Sequence, residues 1–241
     1  MRRIQRLHLS PRTLEFLRRR TLTVVTSADP KREASRLWRR RKNQAFADIR
    51  RTLDRMATGR MRCMYCEDSA GSDLEHFWPR AAYPERAFTW ENLLFACSHC
   101  NSNVKRHQFP LDASGQPLLL DPTQDEPLDH LLFAETGHYK HRSRKGKTSI
   151  QVFDLNRTTL AEGRRDAWIA IPELLIRYAQ HRAAGRREQA KDVEQALRRY
   201  PFSGVFAAFL RIAKSRSSRR HLITPECLAV LRDHPEIATW L

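Results

Sequence analysis

Three features of the 241-residue sequence predict an α+β protein that is mainly α-helical, with a small metal-held module between basic helices. Apolar residues recur at helical spacing up to residue 59 and again beyond 157, with only short apolar runs between. Two C-x-x-C pairs, Cys63/Cys66 and Cys97/Cys100, bracket a segment too small to build a core of its own. The charge is uneven: +17 overall, but +13 over residues 1–60, −2 over 61–150 and +6 over 151–241. These features divide the chain into basic N-terminal helices (1–59), a cysteine module (60–112), a short helix and β-hairpin extension (113–157) and a C-terminal helical region (158–241).

In chain order, Ser10-Pro11 has the form of an N-cap followed by proline in the first turn, predicting a short helix through Leu14, Leu17 and Leu22. Asp29-Pro30 opens a longer helix ended by Gly59. Its apolar stripe is Ala34, Leu37, Trp38, Ala45, Ile49, Leu53 and Met56; Arg41 falls close to that stripe, against the pattern. The run Arg39-Arg40-Arg41-Lys42 is read as nucleic-acid-binding, a solvated helix face being the plainer alternative.

Beyond the module, Leu118-Leu119-Leu120 ends at Asp121-Pro122, and Leu128 with Leu131, Leu132 and Phe133 predicts a short helix or a strand start. Segments 138–142 and 148–153 are expected to pair as a hairpin. Its basic tip, R-S-R-K-G-K, holds the glycine a tight turn needs and offers Arg144 and Lys145 to nucleic acid. From Asn156 the pattern is helical: a long helix through Leu160, Trp168, Ile171, Leu174, Leu175 and Tyr178, bent at Pro172, and then a second over 188–200. Ser203 is expected to cap a third, through Phe206, Phe209, Leu210 and Ile212, and Thr224-Pro225-Glu226 to begin the last. The run R-S-S-R-R at 216–220 reads as a mobile basic loop.

A net charge this large predicts a polyanionic partner, nucleic acid before a membrane surface. No run approaches the ~20 apolar residues of a membrane span. The basic start of the chain has no apolar run behind it, so a soluble, cytoplasmic protein is expected. In that setting two C-x-x-C pairs argue for a metal rather than disulfides. Four thiolates close a tetrahedral zinc site with no open position, which is structural and not catalytic. The fifth cysteine, Cys227, sits in C-L-A-V-L as a buried apolar thiol.

Between the knuckles lie Glu75-His76 and Asn92, and Asn101 follows the last cysteine. This order resembles the HNH, or ββα-metal, endonuclease family in its four-cysteine form. A narrower set of motifs covers roughly residues 60–160: C-M-Y-C-E, E-H-F-W-P-R, W-E-N-L-L-F-A-C-S-H-C-N, F-P at 109–110, L-L-D-P at 119–122 and F-D-L-N-R at 153–157. They are similar to HNH nucleases of bacterial antiphage defence, of the Septu and retron-associated kind and, next to them, the Zorya-associated kind. The resemblance implies a metal-dependent endonuclease cutting or nicking DNA, beside an ATPase or other defence-system subunit. It places Glu75-His76 on a first strand, Asn92 in the connecting loop as an orienting residue, and Cys100-Asn101 at the start of a helix.

Phosphodiester hydrolysis agrees with those residue types, since it needs an activated water and a cation on the developing charge. His76 can be neutral near pH 7 and act as general base. Glu75 and Asn101 offer the hard oxygen donors that suit Mg²⁺ or Mn²⁺. Neighbouring strand residues point to opposite faces, so a bend or twist is needed for Glu75 and His76 to share a site. Lys105 lies one turn past Asn101 and is expected to meet the scissile phosphate, with Arg106 and His107 as competing contacts. The family's basic residue commonly falls three positions after the asparagine; here it comes at four. Two alternatives stay open: a nuclease directed at RNA, and a zinc module that grips nucleic acid without cutting it.

Overall fold

The computed structural model describes residues 1–215 and 221–241; the basic run at 216–220 lies outside the described residues. Helix α1, Pro11–Val25, begins where the Ser10 side chain accepts the Thr13 N–H. Helix α2, Pro30–Arg39, is capped by Asp29, and helix α3, Gln44–Met56, by Asn43. The single helix expected over 30–59 is therefore two. Asn43 offers its side-chain oxygen to the Phe46 N–H and starts a new helix, while the Arg40 N–H turns back to the Leu37 carbonyl and ends the old one. The break removes the conflict at Arg41, which leaves the apolar stripe and lays its guanidinium over the Trp38 ring, 5.5 Å from the centroid.

Strand β1, Asp73–His76, pairs antiparallel with β2, Leu93–Ala96, with Glu75 opposite Leu94 and His76 opposite Leu93. A π-helical turn, His99–Lys105, follows. Its wide i→i+5 turn is how a helix absorbs an extra residue. Helix α3 lies against this module: Arg50 donates to the Ser72 carbonyl at 2.9 Å and covers the Phe95 ring.

The short helix α4, Pro127–His130, runs directly into β3, Leu131–Phe133, so both readings of that stretch hold. Strand β3 pairs with β4, Tyr139–His141. The expected partner of β4, 148–153, is instead part of helix α5, Arg144–Val152, so the basic "tip" is a helix start. Ser143 caps it through the Gly146 N–H. Gly146 is needed for close packing, since a Cβ there would stand 2.1 Å from the His130 carbonyl oxygen.

Helix α6, Thr158–Ala183, continues through Pro172 and packs on α7, Arg187–Arg198, on α8, Ser203–Lys214, and on α9, Pro225–Asp233. Thr224 caps α9 as expected. Ser203 does not cap α8: Phe202 holds that position at φ 58°, and the Ser203 hydroxyl donates inward to Glu67. Trp168 joins Phe133 and Phe209, with ring centroids 5.2 and 5.3 Å apart. Tyr65, inside the first knuckle, stacks on Phe153 at 4.0 Å. One buried apolar cluster thus runs through the helices and the cysteine module. Cys227 is buried within it.

Candidate functional site

The frame comes first. Cys63 and Cys66 follow α3, and Cys97 and Cys100 follow β2; all four thiols are free, buried and within 4.8 Å of one another. Cys66 and Cys97 sulfurs are 3.9 Å apart, far beyond a disulfide bond but close to the roughly 3.8 Å edge of a tetrahedron of zinc-bound sulfurs. The Cys100 thiol holds that of Cys66 well below its usual range and brings Cys97 down to about 7. The donor set fits a zinc ion, with Cys63, Cys66, Cys97 and Cys100 as its ligands.

Glu67 fixes this frame to the first residues of the chain and to the start of α8. It directly follows the first knuckle at φ 61° and is buried. Its carboxylate accepts from the Met1 ammonium at 2.8 Å, from the Arg2 and Gly204 N–H groups, and from the Ser203 hydroxyl. A carboxylate immediately after C-x-x-C was the available signal.

The strand pair then sets two opposite faces, as the period of two requires. On one face of β1, Asp73 accepts from the Asn101 side-chain amide at 3.0 Å, and Glu75 meets the Lys105 ammonium at 2.5 Å. Lys105 also donates to the His76 carbonyl at 2.8 Å. Glu75 and Lys105 are both buried; burial pushes the Glu75 carboxyl up, and the lysine opposes that shift. The expectation that Lys105 faces a phosphate is therefore corrected: its charge is turned inward onto Glu75. The π-helical turn carries it there.

On the other face, the His76 ring packs on Trp38, centroids 4.2 Å apart, with Nε2 2.9 Å from the Ala87 carbonyl oxygen. Burial, with Arg80, Lys105 and Arg41 adding to it, brings the imidazole down to about 3. Asn92 uses its whole amide. It accepts the Trp78 N–H at 2.7 Å and donates to the carbonyls of Trp78 and Arg86. It thereby ties the segment after His76 to the segment before Ala87. Arg6 braces the same turn from outside, donating to the carbonyls of Trp90, Glu91 and Leu93 with its guanidinium over the Trp90 ring. Nothing in the sequence near Arg6 signals that role.

The residues expected to meet nucleic acid separate. Arg39 is exposed at the end of α2 and Arg40, Arg41 and Lys42 in the α2–α3 turn, Arg106 is exposed just past Lys105, and Arg144 is exposed at the start of α5. Lys145 is half-buried, its ammonium paired with both oxygens of Asp125 at 2.8 and 3.0 Å.

Comparison with known proteins gives three similarities. The chain is 34% identical over 154 residues to Septu protein PtuB of Bacillus mycoides (strain KBAB4), covering 50% of this chain and 52% of that protein. It is 34% identical over 102 residues to Septu protein PtuB of Bacillus thuringiensis, covering 39% and 37%. A third similarity, 29% over 91 residues, is to Septu protein PtuA of B. mycoides (strain KBAB4), covering 32% of this chain and 13% of that protein. The chain thus spans about half the length, or less, of the curated relatives it matches. No family model matches it. No described helix is long and apolar enough to cross a membrane.

Proposed function

We propose that this chain is a metal-dependent endonuclease of the HNH kind that hydrolyses phosphodiester bonds of DNA. We place it as a component of a Septu-type antiphage defence system, acting in the cytoplasm beside a second, ATPase-type subunit. The likeness to two Septu PtuB proteins supports the system, and that to a PtuA protein supports the partner.

The arrangement of His76 carries the nuclease reading. A carbonyl oxygen only accepts, so the contact with Ala87 puts the ring proton on Nε2 and leaves the lone pair on Nδ1. The ring is neutral at pH 7. Burial, and then Arg80, Lys105 and Arg41, depress its basicity; a phosphate anion bound at Arg80 and Arg41 opposes part of that field, raising the basicity as substrate arrives. Nδ1 then takes a proton from water while the water oxygen attacks phosphorus and the bond to the leaving oxygen breaks. Asn92 and Arg6 keep the Ala87 carbonyl where it fixes that tautomer.

The side chains of Asp73, Glu75 and Asn101 on the opposite face are an oxygen donor set of the type that holds Mg²⁺ or Mn²⁺. A cation bound there would lie on the face of β1 opposite His76, so it would supply charge to the same phosphate only after a twist of the strand. Glu75 already meets the Lys105 ammonium, so ammonium and divalent ion compete for it. That pairing is the observation favouring the second reading, a zinc-held module that binds nucleic acid without chemistry. One assay separates the two. Purified protein with Mn²⁺ is expected to nick supercoiled plasmid, and His76→Ala to abolish nicking at unchanged zinc content. Equal nicking by both proteins removes His76 from the role of base. Running RNA beside the plasmid identifies the substrate.

A further inference from the structure

The indole of Trp38 lies against His76, and two guanidinium groups from separate segments lie over that same indole. Arg41, in the turn after α2, has its carbon 5.5 Å from the ring centroid; Arg80, four residues beyond His76, is at 5.8 Å. Both are held from behind. Arg80 donates to the Ser35 hydroxyl on α2 at 2.9 Å. Arg20, seated on the Phe16 ring, donates to the carbonyls of Leu37 and Arg40 and so fixes the turn that carries Arg41. Stacking on an aromatic face orients a guanidinium plane and leaves its N–H edge free to donate, the geometry a phosphate accepts.

The charge here is also unbalanced. Some cations of this chain are matched: Arg36 pairs with Glu33, Lys105 with Glu75 and Lys145 with Asp125. Among the described residues, none of Arg39, Arg40, Arg41, Lys42 and Arg80 makes an ion pair. Burial holds Arg80 below its usual range, and Arg41 and Arg39 push it further. Five cations without a carboxylate repel one another until an anion arrives. Lys105 cannot be the group that receives it, because its charge is already neutralised in the interior.

We propose that Arg80 and Arg41, stacked on Trp38 beside His76, form a clamp for a backbone phosphate of the nucleic-acid strand at the bond to be cut. The clamp rests on the nuclease reading for what happens next, but the binding it describes is measurable without cleavage. Each arginine forms charge-assisted hydrogen bonds to phosphate oxygens, and the exposed Arg39, Arg40 and Lys42 extend the grip along the strand.

The test is equilibrium binding of a fluorescein-labelled DNA duplex to the full chain, by anisotropy, over a series of NaCl concentrations. Arg80→Gln and Arg41→Gln are each expected to lower the slope of log affinity against log salt by about one and to weaken binding at every salt concentration. Arg80→Lys, which keeps the charge, is expected to keep the slope. Arg232→Gln, on α9, is expected to match the wild type. Arg41 is exposed, so its substitution tests the clamp even where Arg80→Gln disturbs folding. Wild-type slopes in folded Arg80→Gln and Arg41→Gln overturn the clamp, as does a wild-type chain whose DNA binding ignores salt. The two proposals fail separately. Altered slopes without any nicking leave the clamp standing and remove the nuclease; nicking with unaltered slopes does the reverse.

Discussion

The cysteine module and the N-terminal helices use charge in opposite ways. In the module, charged groups are turned inward and matched: Glu67 on the Met1 ammonium, Glu75 on Lys105, Asp73 on the Asn101 amide. In the helices, the run after Trp38 is left in solvent with no carboxylate beside it among the described residues. The first pattern fixes geometry; the second creates a field for an anion. They meet at one contact, Trp38 on His76. On the proposed reading, chemistry and grip are built by different segments and joined through an aromatic ring.

Removing what organises the module has the greatest consequence. Stripping zinc with a chelator, or Cys97→Ser, is expected to collapse strands β1 and β2 and the π-helical turn, since a structural zinc site contributes on the order of 10 kcal/mol. Circular dichroism and metal content read this out, and an unchanged melting temperature after metal loss refutes the frame. Next is the inward pair. Lys105→Met leaves Glu75 buried without its cation and should cost about 3–5 kcal/mol in chemical denaturation. Added Mn²⁺ should restore more stability to this variant than to the wild type, because the competing ammonium is gone. Asn92→Ala, which orphans the Trp78 N–H and two carbonyls, should cost about 2–3 kcal/mol and slow any cleavage while leaving zinc bound.

A pH titration sharpens the same contrast. The His76 ring titrates at about 3 in the folded chain against an ordinary 6.5, so between those values the unfolded state binds the extra proton. Its contribution to stability is complete above pH 6.5 and is lost as pH falls toward 3, at roughly 1.4 kcal/mol per unit. Denaturation midpoints across that window should show the slope, and His76→Asn should flatten it. On the exposed side, Arg144→Gln should move stability by less than about 0.5 kcal/mol, since its side chain is in solvent.

Much of the frame was legible because its signals are local. Two C-x-x-C pairs need no tertiary context to announce a metal site, and Ser10, Asp29 and Thr224 cap the helices they precede. What was missed depends on contacts distant in sequence or on competition between near-equal local choices. The α2–α3 break turns on Asn43 accepting one N–H, a signal hidden inside a continuous helical periodicity. Segment 144–152 has the glycine and alternation of a hairpin, yet Ser143 capping and the close approach of Gly146 to the His130 carbonyl make it a helix. Spacing alone does not show which way the Lys105 side chain turns, so from sequence it reads as a surface phosphate contact. Glu67 and Arg6 act across 65 to 137 and 84 to 117 residues, where periodicity carries no information.

On the proposed reading, grip and chemistry are separable and meet at His76. Measuring DNA affinity and nicking rate on the same His76→Ala preparation tests it most directly. The expected result is a loss in rate of at least about a hundredfold, with affinity and its salt slope equal to wild type. Equal rates, or a rate and an affinity that fall together, would contradict it.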